Sequence, residues 1–181
     1  MRASGASNQA PFTVIQTLFS RPRRVFAALA VISIAMLAFG ILYLQNVVGL
    51  VPCPMCIVQR YCLIIAAVFC ARAALSDKPV ARRVWGLLAV LVAGFGAFTA
   101  ARQSWLQWYP PEVVSCGRDL YGMIETFPLQ RAIPMIFRGG GDCTKVDWTF
   151  LGGSIANWSF LWFCAMALVG ALLVWRRARA G

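Results

Sequence analysis

Four long apolar runs alternate with polar breaks along the chain, at about 25–44, 57–75, 84–101 and 158–174. A membrane-spanning helix needs about 20 apolar residues, with about 17 as the lower limit, so each run can cross a bilayer. Arg60 and Arg72 fall inside the second run but near its ends, where a long side chain reaches the interface. The breaks are unequal. Those at about 45–56 and 76–83 are short, which makes the second and third helices close antiparallel neighbours. The break at about 102–157 is the only long one, and it carries most of the acids and several prolines. The pattern predicts an all-α, four-helix transmembrane bundle, a single integral membrane domain over 1–181, with one short and one long outer loop. Within the long loop, the apolar stretch from Phe127 to Phe137 is expected to lie against the bilayer as a short interfacial helix. Residues 1–20 are polar, with an amphipathic hint between Phe12 and Phe19. The Arg21–Arg24 cluster before the first run has the outline of a secretory signal. That run exceeds the apolar core of about 7–15 residues such signals carry, and no small-x-small site follows, so an uncleaved span is expected.

Composition strengthens this reading. The chain is 60% hydrophobic, against roughly 45–50% in a soluble domain. A formal charge of +11 would point to nucleic acid in a soluble protein, but its distribution points elsewhere. Arg2, Arg21, Arg23, Arg24, Arg72, Lys78, Arg82, Arg83, Arg176, Arg177 and Arg179 fall on one side of four alternating spans, accompanied only by Asp77. The other side nearly balances, with Arg60, Arg102, Arg118, Arg131, Arg138 and Lys145 against Glu112, Asp119, Glu125, Asp142 and Asp147. Such an excess marks the cytoplasmic face, so both termini are expected there and the partner is the lipid bilayer, not nucleic acid. Trp105, Trp108, Tyr109, Trp148 and Trp158 fall near the outer span ends, as an interfacial aromatic belt requires.

The candidate chemistry lies in the seven cysteines, which this topology sorts. Cys62, Cys70 and Cys164 fall within spans, where a thiol is ordinarily an inert small hydrophobe. Cys53, Cys56, Cys116 and Cys143 lie in the two outer loops. For Cys116 and Cys143 a structural disulfide stapling the long loop competes with a redox role. For Cys53 and Cys56 that alternative is weaker, because closing so short a ring restrains little chain entropy. A zinc site is disfavoured, since the spacing is poor for one and the chain has no histidine. The redox reading is preferred, and no metal is expected. Pro54 suits the first turn of a helix but not its interior, so Pro52-Cys53-Pro54-Met55-Cys56 is expected to cap the second helix. The positive end of that helix then favours a thiolate on Cys56. Arg60, four residues on, shares its face. An arginine so near the surface is ordinarily a snorkelling charge; its alternative role is to stabilise the Cys56 thiolate or polarise an acceptor oxygen. Gln103, Gln107 and the other loop polar residues carry no comparable signal.

The order of these features resembles the DsbB family of bacterial inner-membrane disulfide-bond formation proteins, across nearly the whole chain. It comprises Cys53-x-x-Cys56-x-x-x-Arg60 opening the second span, Leu106-Gln107-Trp108-Tyr109-Pro110 after the third, and a second cysteine pair. That pair ends in Gly141-Asp142-Cys143, followed by Trp148-Thr149-Phe150-Leu151-Gly152. The resemblance implies a multi-pass inner-membrane thiol oxidoreductase that reoxidises a periplasmic DsbA-like dithiol oxidase and delivers the electrons to the membrane quinone pool, ubiquinone or menaquinone. It further implies that Cys116 forms the mixed disulfide with DsbA, that Cys143 then attacks Cys53, and that Cys56 passes electrons to a quinone assisted by Arg60. DsbA is a strong oxidant at about −120 mV, so its reoxidation calls for a stronger terminal acceptor than a dithiol pair alone. The Pro54-Met55 dipeptide departs from the family pattern in a way expected to alter the redox poise of the pair. A family role for a histidine near the end of the third span has no carrier here, and Gln103 occupies that neighbourhood.

Two other readings compete. A quinone reductase of the vitamin K epoxide reductase type also has a four-helix core and two cysteine pairs, but its membrane-embedded pair falls late in the chain. A non-enzymatic scaffold with a disulfide-stapled outer loop would show no quinone reduction at all.

Overall fold

The computed structural model describes residues 21–110, 134, 137 and 141–178, with no description of the side chains of 141, 142 and 176–178. Among the described residues, four helices are long and apolar enough to cross a membrane. Helix α1 (Pro22–Ala38) continues into a π-helical segment, Phe39–Gln45, so that the two form one rod. Helices α2 (Pro54–Leu75), α3 (Pro79–Trp108) and α4 (Ile155–Ala178) complete the bundle. The all-α, four-helix membrane architecture expected from the hydropathy pattern is the one observed.

Proline opens three of the four helices, at Pro22, Pro54 and Pro79. Its fixed φ suits a first turn, and its missing N–H is one the turn would leave unpaired. The helices overrun the apolar runs because polar residues extend them. Helix α3 runs through Arg102, Gln103 and Gln107 to Trp108 before Tyr109 ends it, so these residues are helical although the sequence reading assigned them to the loop. On the basic side, Arg23 of α1 caps the end of α2. Its guanidinium donates to the Ala74 and Leu75 carbonyls at 3.0 and 3.4 Å and pairs with Asp77 at 2.8 Å. Both charged groups of that pair are well exposed, so the carbonyl contacts matter more than the ion pair.

Helix α1 packs on α2, α2 on α3 and α3 on α4, while α1 and α4 meet only lightly. Small residues allow the close approaches. A Cβ on Gly96 would lie 2.6 Å from the Phe163 ring, and one on Gly170 would lie 2.7 Å from Val90. In a bilayer such packing replaces the hydrophobic drive that water supplies elsewhere. Across the looser α1–α4 seam, the Trp162 indole donates to Ser33 Oγ at 3.1 Å, and Ser33 donates to Met166 Sδ at 3.4 Å.

The outer connections bring chain back over the bundle. After the π-helical segment the backbone turns through Gly49, whose φ of +79° is a left-handed conformation glycine takes without steric cost. The Leu50 N–H closes this turn on the Leu44 carbonyl at 3.0 Å and sends the chain towards Cys53. Beyond the long loop, a single helical turn (Gly141–Thr144) precedes a two-stranded hairpin, β1 (Thr149–Phe150) and β2 (Gly153–Ser154). Ser154 Oγ accepts the Asn157 N–H at 3.4 Å, capping α4, and donates to Gln107 of α3 at 2.6 Å. Of the stretch expected to form an interfacial helix, 127–137, only Pro134 and Phe137 are among the described residues; both are helical, and the Phe137 ring packs on Phe95 and Phe98.

Candidate functional site

The Cys-Pro-Met-Cys motif is a helix cap, as its proline foreshadows. Cys53, extended at φ −68° and ψ 161°, is the N-cap of α2 with Pro54 at the first helical position. Its sulfur accepts the Cys56 N–H at 3.2 Å, and its carbonyl accepts the Ile57 N–H at 3.0 Å. A cap and a residue three positions on share one face of the first turn, so both sulfurs face α3.

Cys143, fully buried, comes down on this pair from the single turn Gly141–Thr144 and shares a small core with Cys53, Met55 and Leu106. Cys53 and Cys143 are hydrogen-bonded through their side chains. That bond is the foremost cause pushing the Cys53 thiol up from its ordinary range, followed by its bond with Cys56 and by burial. These contacts and burial disfavour a thiolate on Cys53 and so its use as an attacking nucleophile. Cys116 lies outside the described residues. Of the four outer cysteines, Cys53, Cys56 and Cys143 are thus brought together.

Arg60, one turn below Cys56, donates to Gln45 Oε1 at 2.6 Å. Gln45 is the last residue of the π-helical segment, whose wider turn carries the amide over α2. A cavity of about 600 Å³ opens beside these residues. Cys53, Cys56, Arg60 and Gln103 form part of its polar lining, and Val31 and Met36 of α1 and Trp162 of α4 line it on the apolar side. It therefore occupies the seam where α1 and α4 barely touch. A long apolar chamber with a guanidinium and a cysteine at one end fits a flat lipophilic molecule carrying carbonyl oxygens.

Gln103, which carries no signal in the sequence comparable to that of Arg60, reaches both sulfurs. The Gln103 amide nitrogen donates to Cys53 Sγ at 3.3 Å and to Cys56 Sγ at 3.2 Å. Its carbonyl oxygen accepts from Gln59 Nε2 at 2.6 Å. Both glutamines are buried, at 4% and 6% exposure. The available sequence signal was an amide within an apolar face, at Gln59, three residues past Cys56. Gln107 joins Ser154 and the Lys145 carbonyl at the outer end of the bundle. Cys62 and Cys70 are buried in the apolar core, as expected of span thiols, and Cys164 is half-buried.

Fold and site define a class, a multi-pass, all-helical membrane protein with a Cys-x-x-Cys pair touching a third cysteine beside an apolar chamber. The profile of the family described as disulfide bond formation protein DsbB matches residues 22–173. The chain is 64% identical over 162 residues to the "Disulfide bond formation protein B" of Paracidovorax citrulli, covering 90% of this chain and 92% of that one. It is 66% identical over 158 residues to the protein of that name from a Polaromonas species, covering 87% and 94%. Against that of Aromatoleum aromaticum it is 44% identical over 165 residues, covering 90% and 98%. The chain belongs to the DsbB family of disulfide bond formation proteins.

Proposed function

We propose that this protein reoxidises a periplasmic DsbA-like dithiol oxidase and passes the two electrons through Cys116/Cys143 and then Cys53/Cys56 to a membrane quinone, ubiquinone or menaquinone. The observation that carries the reading is the contact of Cys143 with Cys53 while Cys56 lines the chamber. The proposed sequence balances at each exchange. A DsbA thiolate attacks Cys116 of the Cys116–Cys143 disulfide, forming the mixed disulfide and releasing Cys143 as a thiolate. The second DsbA thiol resolves the mixed disulfide, so DsbA leaves oxidised and the loop pair is left reduced. Cys143 attacks Cys53 of the Cys53–Cys56 disulfide, whose bonding electrons leave on Cys56. Cys116 then closes on Cys143, leaving Cys53 and Cys56 reduced.

A quinone supplies a sink for two electrons and two protons. The residues that would hold it are Arg60, as a fixed cation towards a carbonyl oxygen, and the chamber walls from α1 and α4. Cys56 presents its sulfur at the chamber's polar end, and the surrounding apolar side chains exclude water there. The basic excess at Arg23, Arg82 and Arg83, against the near balance on the cysteine side, supports an inner-membrane placement with both termini cytoplasmic. We treat residues 1–181 as one integral domain organised around this path.

The test is turnover. Purified protein with ubiquinone or menaquinone is expected to oxidise reduced DsbA with one quinone consumed per DsbA. Cys56→Ser and Cys116→Ser are each expected to abolish it; undiminished turnover in either would refute the relay.

A further inference from the structure

Two neutral side chains without a role in the path above lie at the redox sulfurs, Gln103 against them and Gln59 against Gln103. Gln103 spends both amide N–H bonds on them, one on Cys53 Sγ at 3.3 Å and one on Cys56 Sγ at 3.2 Å. An amide can face its neighbours either way round, and the choice decides whether it donates to the sulfurs or turns a carbonyl oxygen on them. Gln59 makes that choice. Its Nε2 donates to Gln103 Oε1 at 2.6 Å, and reversing the Gln103 amide without also reversing Gln59 would set two N–H donors against each other. The carbonyl oxygen of Gln103 also lies 3.7 Å from Cys56 Sγ, within reach of a thiol proton but longer than the donor contact.

Burying two amides costs desolvation that an apolar pair of the same size would avoid. The buried core around them, with Met55, Leu106 and the sulfurs, is otherwise apolar. A pair of methionines would pack α2 on α3 without that cost. The chemistry that uses a donor here is disulfide opening. When a thiolate attacks Cys53, a new S–S bond forms to Cys53, the Cys53–Cys56 bond breaks, and its electron pair remains on Cys56 as a thiolate. A hydrogen bond from a preorganised N–H to that charge is stronger than one to the neutral disulfide.

From this geometry we infer that Gln103 is a further catalytic residue, donating to the Cys56 thiolate as the membrane-proximal disulfide opens, and that Gln59 is a positioning residue that fixes the direction of the Gln103 amide. The inference rests on the relay reading for its place in the reaction, but the hydrogen-bond claim can be tested without turnover.

The experiment equilibrates the full-length protein in detergent with glutathione buffers at pH 8, quenches with acid, and weighs the peptide carrying Cys53 and Cys56. Gln103→Met is expected to shift the equilibrium about tenfold towards the disulfide, equivalent to ~1.4 kcal/mol. Gln59→Met, which leaves Gln103 in place, is expected to shift it about threefold and carries the test if Gln103→Met does not fold. The double variant is expected to match Gln103→Met alone, because Gln59 acts only through Gln103. An unchanged equilibrium in the single variants, or effects that multiply in the double, would overturn the inference. Loss of DsbA-dependent quinone reduction in the unmodified protein would instead refute the relay and leave this equilibrium result standing.

Discussion

At the residue scale, the two sulfurs of one short motif differ in what surrounds them. Both line the chamber, but Cys53 meets Cys143 and is disfavoured as a thiolate, while Cys56 lies beside Arg60. Arg60 donates to Gln45 Oε1 at 2.6 Å, a contact that anchors its guanidinium beside the chamber. Replacing it with methionine keeps the stem and removes the charge. Arg60→Met is expected to raise the KM for quinone at least tenfold and leave the KM for DsbA unchanged, read from initial rates with each substrate varied. Unaltered quinone KM would leave Arg60 with only a structural role. The Cys-x-x-Cys and Arg60 are legible in the sequence because their relation is local, set by helical spacing. The bonds of Gln45 and Gln103 are not, because each joins residues from different helices and depends on how those helices pack.

At the scale of elements, helix α3 is the template for both of its neighbours. Its glycines differ in use, and that difference is measurable. Gly96 lies under Phe163, which lines the chamber, and a Cβ there would meet the ring at 2.6 Å. Gly94 faces open space. Gly96→Val is expected to cost about 1–3 kcal/mol by overpacking. Gly94→Ala is expected to be neutral, or to stabilise by up to ~1 kcal/mol through helix propensity. Thermal unfolding in detergent compares the two, and equal effects would contradict the packing account. The positions of the helices were readable from hydropathy, since about 20 apolar residues fix a span. Their ends were not: α3 continues through Arg102, Gln103 and Gln107 because those polar residues find partners in Phe137, the sulfurs and Ser154. A rule based on apolar length alone assigns such residues to a loop.

At the scale of the whole molecule, three tight helix contacts and one loose seam place a lipophilic chamber where the cysteine motif can reach it. The proposed relay joins a thiol exchange at the outer surface to an acceptor in the bilayer, with the Cys53–Cys56 motif between them. Four spans and the charge asymmetry sufficed to predict the bundle; the chamber required the fold, because its walls come from the first and last helices in the chain. The central claim is that electrons pass from Cys143 to Cys53 and leave by Cys56. A disulfide map of the Cys56→Ser/Cys116→Ser double variant tests it most directly. With Cys56 and Cys116 both removed, neither thiol that the relay uses to displace Cys53 or Cys143 remains, so peptide mass mapping after air oxidation is expected to find Cys53 joined to Cys143. Cys53 recovered as a free thiol, or joined to any other cysteine, would contradict the path.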